Sequence, residues 1–226
     1  MTTPAGLALF DLDGTLVDSA PDIADAVDIA LAACGRAPIG EEVVRGLLGD
    51  GAVRLIHRAL TGRHDGEADA SLYAEAYRQF VDAYQPRVFK RTRLFPGVEE
   101  VLVGLTAAGW TLGCVTNKPA RFTVPLLTAA GIAKHFAVTL SGDSLPTKKP
   151  AAEPILHAAT AVGVALSGVV MIGDSVTDLS AARNAGVRAI CVSFGYHAGV
   201  DLAAAGAHAM IDDMRELLPL LGVHAR

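Results

Sequence analysis

The feature that most limits the fold of this chain is the alternation of short apolar runs with helical stretches. Each run is four to six residues long and is apolar at nearly every position. Runs of this kind are typical of strands in a parallel sheet that is covered on both faces. The predicted strands are 7–10, 111–115, 136–140, 169–172, 187–192 and 207–211.

Helical stretches with recognisable ends separate several of these runs. Pro96 precedes the first of them, and a glycine lies at or just beyond the end of each one. The predicted helices are 97–107, 119–130, 153–162 and 177–185. Strands and helices that alternate in this way form right-handed βαβ units. We therefore predict an α/β fold with a doubly wound, mostly parallel, Rossmann-like sheet.

The segment from residue 19 to residue 92 breaks the alternation, because it contains helical patterns only. Ser19 is predicted as the N-cap of a first helix that ends near Cys34. Further helices are predicted near 41–47, 52–60 and 67–84. The segment therefore reads as a small all-helical insert that follows the first strand.

This insert predicts a division of the chain into two domains. Residues 1–18 and 93–226 would form the α/β core, and residues 19–92 would form the helical domain. The two connections, near 17–20 and 91–96, are predicted to act as hinges.

Polar residues follow four of the predicted strands, at the point where each strand ends. They are Asp11 and Asp13 after the first strand, Thr116 and Asn117 after the second, Lys148 and Lys149 after the third, and Asp174 and Asp178 after the fourth. Since function in open α/β sheets gathers at the carboxyl ends of the strands, we expect these side chains to lie together.

This set of residue types indicates phosphoryl transfer. Several carboxylates in one crevice repel each other unless a cation compensates them, and oxygen ligands of this kind suit Mg²⁺. Thr116 and Lys149 offer a hydroxyl and a fixed positive charge, which suit phosphate oxygens. Asp13 lies two residues beyond Asp11 and faces the same site only if the chain turns there, a turn that Gly14 permits.

Four motifs in order resemble those of the haloacid dehalogenase superfamily. They are 10–19 (FDLDGTLVDS), 115–118 (VTNK), 149–150 (KP) and 173–178 (GDSVTD). Within that superfamily the chain is most similar to the bacterial phosphoglycolate phosphatases, nearly from end to end. The resemblance implies a phosphatase that acts through an aspartyl-phosphate on a small phosphorylated metabolite such as 2-phosphoglycolate.

The resemblance also implies a role for each motif residue. Asp11 would be the nucleophile, and Asp13 would protonate the leaving oxygen and later deprotonate water. The cofactor would be Mg²⁺, with Asp11, the backbone carbonyl of Asp13 and Asp174 as ligands, and with Asp178 as a direct or water-mediated partner. The transferring phosphoryl group would be bound by Thr116, the Asn117 backbone and Lys149.

The helical insert resembles the small cap that closes over the site in these phosphatases. The loop that would face substrate contains Gly49, Asp50 and Gly51, and Arg54 is predicted to meet a substrate carboxylate. Lys118 and Lys148 are predicted to be solvated or peripheral, whereas the role of Asp143 stays open. The aromatic stripe Tyr73, Tyr77, Phe80 and Tyr84 is interpreted as helix packing.

Other functions stay open at this stage. A β-phosphoglucomutase-like phosphotransferase shares all four motifs, and a pyrophosphatase or a sugar-phosphate phosphatase has the same fold. A non-catalytic binding subunit is a more distant alternative. A dehalogenase of the same fold would lack the carboxylate at Asp13.

Composition narrows the partners further. The net charge is −5 and the pI is about 5.8, which argues against a nucleic-acid partner. No apolar run approaches the length of a membrane span, and residues 1–4 have no basic segment, so we expect a cytoplasmic protein without a membrane partner. Three cysteines without a paired spacing predict neither disulfides nor a zinc site. A monomer and a homodimer are both compatible with the sequence.

Overall fold

The structure is a computed structural model that describes residues 5–223. Residues 1–4, on which the expectation about a leader segment rests, lie outside the described residues. Within 5–223, the helices are all too short or too polar to pass through a lipid bilayer.

The core of the molecule is a six-stranded parallel sheet, as predicted. Its strand order is β5-β4-β1-β6-β7-β8, so that β1 and β6 are central. The strands are β1 (Leu7–Phe10), β2 (Val17–Asp18), β3 (Arg93–Leu94), β4 (Thr111–Val115), β5 (Val138–Leu140), β6 (Val169–Gly173), β7 (Arg188–Val192) and β8 (Ala209–Ile211). Phe10 is level with Cys114 of β4 and with Ile172 of β6, and the carboxyl ends of these three strands therefore meet at one edge.

Helices cover both faces of the sheet and also form the insert. They are α1 (Ala20–Ala33), α2 (Gly40–Arg45), α3 (Ala52–Thr61), α4 (Ala70–Tyr84), α5 (Val98–Ala107), α6 (Ala120–Ala129), α7 (Glu153–Val162), α8 (Val176–Ala185) and α9 (Leu217–Leu220). Helices α1 to α4 follow one another with no strand between them. The remaining helices lie between or after strands of the sheet, which is the predicted doubly wound arrangement.

Alternate residues of the central strand face two separate hydrophobic clusters. Leu7 and Leu9 pack into one cluster, whereas Ala8 and Phe10 pack into the other, and all four are fully buried. This is why the strand is apolar at every position. Cys114 is a free, buried thiol, consistent with its predicted place in a buried strand.

The two connections between the insert and the sheet form a short antiparallel ribbon that the sequence did not predict. Val17 pairs with Leu94, and Asp18 pairs with Arg93. Strands of two residues carry no periodic signal, and the pairing partners are far apart in the chain. The segments predicted as hinges therefore run side by side and are hydrogen-bonded to each other.

Candidate active site

Asp11 lies directly beyond β1, in the middle of the edge where the strands end. Its Oδ1 is 2.8 Å from the Nζ of Lys149, and both side chains are buried. Burial raises the pKa of Asp11 to about 6, against the opposing effect of the Lys149 charge. Burial lowers the pKa of Lys149, but the charges of Asp11 and Asp178 more than offset this and raise it above its ordinary value.

Asp13 faces the same space because the chain turns sharply after it. The backbone N–H of Gly14 donates to the carbonyl of Val17, and Gly14 has a φ of +89°, a conformation that favours glycine. The predicted turn is therefore confirmed. Asp13 and Asp11 both line the central cavity described below.

Lys118 is the main correction to the sequence analysis. It was predicted to be solvated or peripheral, yet it is 5% exposed, and its Nζ lies 3.0 Å and 3.1 Å from the two carboxylate oxygens of Asp13. The Oγ of Ser19 donates to the same carboxylate instead of capping α1. The sharp turn after β4 brings Lys118 inward, and a sequence pattern does not show that turn.

Two further carboxylates, those of Asp174 and Asp178, lie beside Asp11. Ligand oxygens of Asp11, Asp174 and Asp178 lie within 4.8 Å of one another, and all three residues are buried. Asp178 Oδ1 lies 2.6 Å from Lys149 Nζ, while its Oδ2 accepts from the Ser175 hydroxyl at the start of α8. Burial raises the pKa of Asp174 well above its ordinary value, and the charges of Asp178 and Asp11 raise it further.

Two residues that hold Asp174 were missed by the sequence analysis. Thr15 donates its hydroxyl to Asp174 Oδ1 at 3.0 Å, and the backbone N–H of Tyr196 donates to Oδ2 at 2.6 Å. A Cβ on Gly195 would lie 2.2 Å from the Cβ of Asp174, so a glycine is required there by close approach. Gly195 and Tyr196 lie just beyond the carboxyl end of β7. That position is the one sequence signal that could have indicated a role in the site.

Thr116 and Asn117 follow β4 and line the central cavity together. The Thr116 hydroxyl accepts from the backbone N–H of Lys118 at 3.2 Å, which leaves its hydrogen available to a ligand oxygen. The Asn117 side chain donates to the backbone carbonyl of Lys149 at 2.9 Å. Asn117 therefore also fixes the segment that carries Lys149.

The prediction that the loop before α3 faces the site is correct for only two of its residues. Gly49 and Gly51 line the central cavity, whereas Asp50 points away from it, towards Arg58 and the hydroxyl of Thr177. Arg54 does not face the cavity either, because its guanidinium contacts Glu67. Ala52 and Leu55 lie on the face of α3 that lines the cavity. Because each residue of a helix is rotated by about 100° from the one before, Arg54 lies on a different face.

The structure also places two more residues near this loop. Lys148 lies outside the lining of the central cavity, as expected for a peripheral residue, but it is half-buried, and its Nζ donates to the backbone carbonyl of Asp50 at 2.8 Å. Asp143, whose role was open, accepts from the backbone N–H of Ala120 at 2.8 Å and so caps α6 outside the central cavity.

The central cavity lies between the insert and the carboxyl edge of the sheet. It has a volume of about 50 Å³. Its lining is Asp11, Asp13, Ile23, Leu48, Gly49, Gly51, Ala52, Leu55, Phe80, Tyr84, Thr116, Asn117, Lys118, Pro119 and Phe122. The interpretation of the aromatic stripe as packing holds for Tyr73, which stacks on His57, but Phe80 and Tyr84 also form the wall of this cavity.

The charges of the site fit a divalent cation. Four carboxylates face two lysines, Lys118 and Lys149, which leaves two negative charges uncompensated among the described residues. Buried carboxylates in such a group are costly unless a cation joins them. Their hard oxygen atoms are the donors that Mg²⁺ prefers, so the residues present fit that ion.

Comparison with known proteins gives the class of this fold and site. The model of the haloacid dehalogenase-like hydrolases matches residues 8–192. The chain therefore belongs to the haloacid dehalogenase-like hydrolase family, and the resemblance inferred from the four motifs is confirmed.

Individual relatives narrow the class further. A phosphoglycolate phosphatase of Nitrosococcus oceani is 44% identical over 95% of this chain and 96% of that protein. One from Nitrosospira multiformis is 39% identical over 96% of each chain. The crystal structure of a predicted phosphoglycolate phosphatase from Haemophilus somnus superposes with a TM-score of 0.89 at 33% identity, and covers 95% of this chain and 97% of that one. The chain is therefore an enzyme of the phosphatase type.

Proposed function

We propose that this chain is a Mg²⁺-dependent phosphomonoesterase that hydrolyses 2-phosphoglycolate through an aspartyl-phosphate on Asp11. The observation that carries this proposal is the position of Asp11, a buried carboxylate that lines the central cavity 2.8 Å from Lys149. A carboxylate so placed is screened from the negative charge of an arriving phosphate.

The first half of the reaction transfers the phosphoryl group to the protein. A carboxylate oxygen of Asp11 attacks phosphorus, and the bond from phosphorus to the ester oxygen of the substrate breaks. Asp13 supplies the proton that this leaving oxygen takes up, so that glycolate departs as an alcohol. Asp13 lines the same cavity as Asp11, which supports this role.

The second half releases phosphate and restores Asp11. Asp13, now ionised, takes a proton from a water molecule, whose oxygen attacks phosphorus as the bond from phosphorus to Asp11 breaks. Lys149 and the Thr116 hydroxyl bind the oxygens of the phosphoryl group in both halves. Mg²⁺, when bound by Asp11, the Asp13 carbonyl and Asp174, supplies positive charge that stabilises the transition state.

The size and lining of the central cavity support a short substrate. The cavity, at about 50 Å³, is small, which favours a compact substrate over a hexose phosphate. The face formed by the insert is largely apolar, with Ile23, Leu48 and Leu55, and it offers few partners for the hydroxyls of a hexose phosphate. The names of the relatives point to 2-phosphoglycolate. For these reasons the phosphatase reading is preferred to a β-phosphoglucomutase-like one.

The insert has a proposed role in this function. We propose that residues 19–92 act as a cap domain on a core formed by 1–18 and 93–226. The insert supplies one wall of the central cavity, and its loop contacts the core through Asp50 and Lys148. Closure of such a cap excludes water from the reacting phosphoryl group.

The test is a comparison of three substrates in the presence and absence of Mg²⁺. We expect the wild-type protein with Mg²⁺ to release phosphate from 2-phosphoglycolate with a higher kcat/KM than from pyrophosphate or glucose 1-phosphate. Asp11→Asn is expected to abolish turnover, whereas Asp143→Asn, which keeps the cap of α6, serves as the matched control. Rapid quenching followed by mass spectrometry should show a phosphoryl group on the peptide that contains Asp11. Conversion of β-glucose 1-phosphate to glucose 6-phosphate, without phosphate release, would favour the mutase.

A further inference from the structure

Lys118 lines the central cavity and contacts Asp13, but the proposed reaction gives it no contact with the substrate. It is the one lysine or arginine among the described residues that line this cavity. Its Nζ contacts the Asp13 carboxylate and also donates to the hydroxyl of Tyr84 at 2.8 Å. The same Nζ lies 4.7 Å from the centre of the Tyr84 ring. Lys118 and Tyr84 therefore form one polar unit in the wall of the cavity.

Tyr84 contributes a hydrogen-bond donor that is not used. The residue is 1% exposed, and its ring packs against Phe80 and Phe122. Its hydroxyl oxygen accepts from Lys118, but within residues 5–223 the hydroxyl makes no hydrogen bond as a donor. A buried hydroxyl normally has a partner for its hydrogen. Tyr84 lines the cavity, where a bound ligand would supply the acceptor.

The surroundings of this unit make it selective. The insert side of the cavity is formed by apolar side chains such as Leu48, Leu55 and Phe80. An anionic group placed against that apolar wall would lose its hydration without compensation. Next to Lys118 and Tyr84 the same group would gain an ion pair and a charge-assisted hydrogen bond.

We propose that Lys118 and Tyr84 recognise a carboxylate on the substrate. They would thereby select short phosphorylated carboxylic acids over phosphate esters of uncharged alcohols. This inference rests on the proposed phosphatase function and specifies its substrate class. The Tyr84 hydroxyl donates to one carboxylate oxygen. Lys118 supplies the opposite charge, because its ion pair with Asp13 is absent while Asp13 carries the proton that it gives to the leaving oxygen. The pair thereby takes the place that the sequence analysis assigned to Arg54, which points away from the cavity.

A purely structural role for Lys118 makes a different prediction. If Lys118 only positions Asp13, its removal slows the hydrolysis of every substrate by the same factor. If it recognises a carboxylate, its removal slows carboxylate substrates more than neutral ones. The ratio of kcat/KM for 2-phosphoglycolate to that for ethyl phosphate separates the two roles, because ethyl phosphate has no carboxylate.

The experiment measures this ratio in the wild-type protein, Tyr84→Phe and Lys118→Met, with Mg²⁺ present. Tyr73→Phe is the matched control, because Tyr73 lies on the same helix and stacks on His57 outside the cavity. We expect the wild-type protein to prefer 2-phosphoglycolate and the control to keep that preference. The ratio should fall about 10-fold to 100-fold in Tyr84→Phe, the range for a hydrogen bond to a charged group, and at least as far in Lys118→Met.

Binding measurements keep the test decisive if turnover is too slow to compare. Calorimetric titration of Asp11→Asn with 2-phosphoglycolate and with ethyl phosphate should show tighter binding of the former, and addition of Tyr84→Phe should remove most of the difference. Equal losses for both compounds, or no preference at all, would overturn the carboxylate site. Absence of phosphate release by the wild-type protein from every ester, with the binding preference intact, would instead refute the proposed hydrolysis. If Lys118→Met does not fold, Tyr84→Phe decides the question alone.

Discussion

At the scale of single residues, the site is organised around carboxylates whose charges the protein does not fully balance. Asp11, Asp174 and Asp178 are buried within 4.8 Å of one another. Lys149 contacts two of them and leaves Asp174 to neutral donors, the Thr15 hydroxyl and a backbone N–H. The mutual repulsion of these carboxylates destabilises the folded state when no metal is bound. This destabilisation can be measured in the metal-free protein.

The stability of the metal-free protein should therefore fall as the pH rises. The pKa of Asp11 is about 6 in the folded protein and 3.8 as an ordinary aspartate. A raised pKa means that the folded state binds the proton more tightly than the unfolded state. The contribution of this proton to the stability is therefore complete below about pH 4 and is lost as the pH passes 6. We expect the free energy of unfolding in urea with EDTA to drop by about 3 kcal/mol at most between pH 4 and pH 7 from this group.

Asp11→Asn provides the check on that pH dependence. The variant should show a shallower fall than the wild-type protein, while Glu42→Gln, at an exposed carboxylate, should not change it. An unchanged slope in Asp11→Asn would show that the Asp11 proton is not responsible.

A second residue-scale prediction concerns Gly195. A Cβ there would lie 2.2 Å from the Cβ of Asp174 and 2.5 Å from the carbonyl oxygen of Gly14. Gly195→Ala must therefore displace Asp174, and we expect a destabilisation of about 1–3 kcal/mol with a loss of Mg²⁺ affinity. Calorimetric titration with Mg²⁺ measures the affinity. Gly46→Ala, where the nearest atom lies 3.5 Å away, should leave both quantities near the wild-type values.

At the scale of elements, one loop of the helical insert makes polar contacts with the core, in addition to the packing of Phe80 and Tyr84 against Phe122. Asp50 accepts from Thr177 of α8 at 3.1 Å, and Lys148 donates to the Asp50 carbonyl at 2.8 Å. Arg58 of α3, 3% exposed, contacts the same Asp50 carboxylate and ties the loop to its own helix. These bonds hold the loop so that Gly49 and Gly51 lie against the cavity.

Removal of the loop contact should affect catalysis more than folding. Thr177→Val keeps the side-chain shape and deletes one hydrogen bond, worth about 1 kcal/mol, which corresponds to a fall in kcat/KM of about fivefold if the contact is made only in the closed form. Steady-state kinetics and urea unfolding measure the two effects. Thr160→Val, whose hydroxyl bonds only within α7, is the matched control. A loss of stability with unchanged kcat/KM would count against a lid role for this loop.

At the scale of the whole molecule, the uncompensated charge of the site couples folding to the metal. An ion that binds the folded protein alone stabilises it by about 2.7 kcal/mol at a concentration of 100 Kd. We expect Mg²⁺ to raise the midpoint of urea unfolding and to reduce the pH dependence described above. Asp174→Asn should abolish the stabilisation by Mg²⁺, whereas Asp143→Asn should keep it. Equal stabilisation of both variants would place the metal elsewhere.

Much of this molecule follows from local pattern. The four central strands are predicted to within a residue because each is a buried apolar run, and the end of each run shows where polar residues enter the site. Asp11, Asp13 and Asp174 were found in this way, whereas Lys149 was chosen over Lys148 from the family resemblance. The two-residue strands β2 and β3 were not, since so short a pairing leaves no periodic signal.

The sequence by itself determined the parallel sheet, the helical insert and the carboxylates at the strand ends, because these depend on periodicity and on order along the chain. Only the tertiary structure decided which charged side chains turn inward. Lys118 and Arg54 look alike as isolated cations, yet Lys118 is buried against Asp13 and Tyr84, whereas Arg54 contacts Glu67 outside the central cavity. The physical reason is that the direction of a side chain is set by backbone turns and by partners that are distant in sequence, and neither leaves a pattern in neighbouring residues.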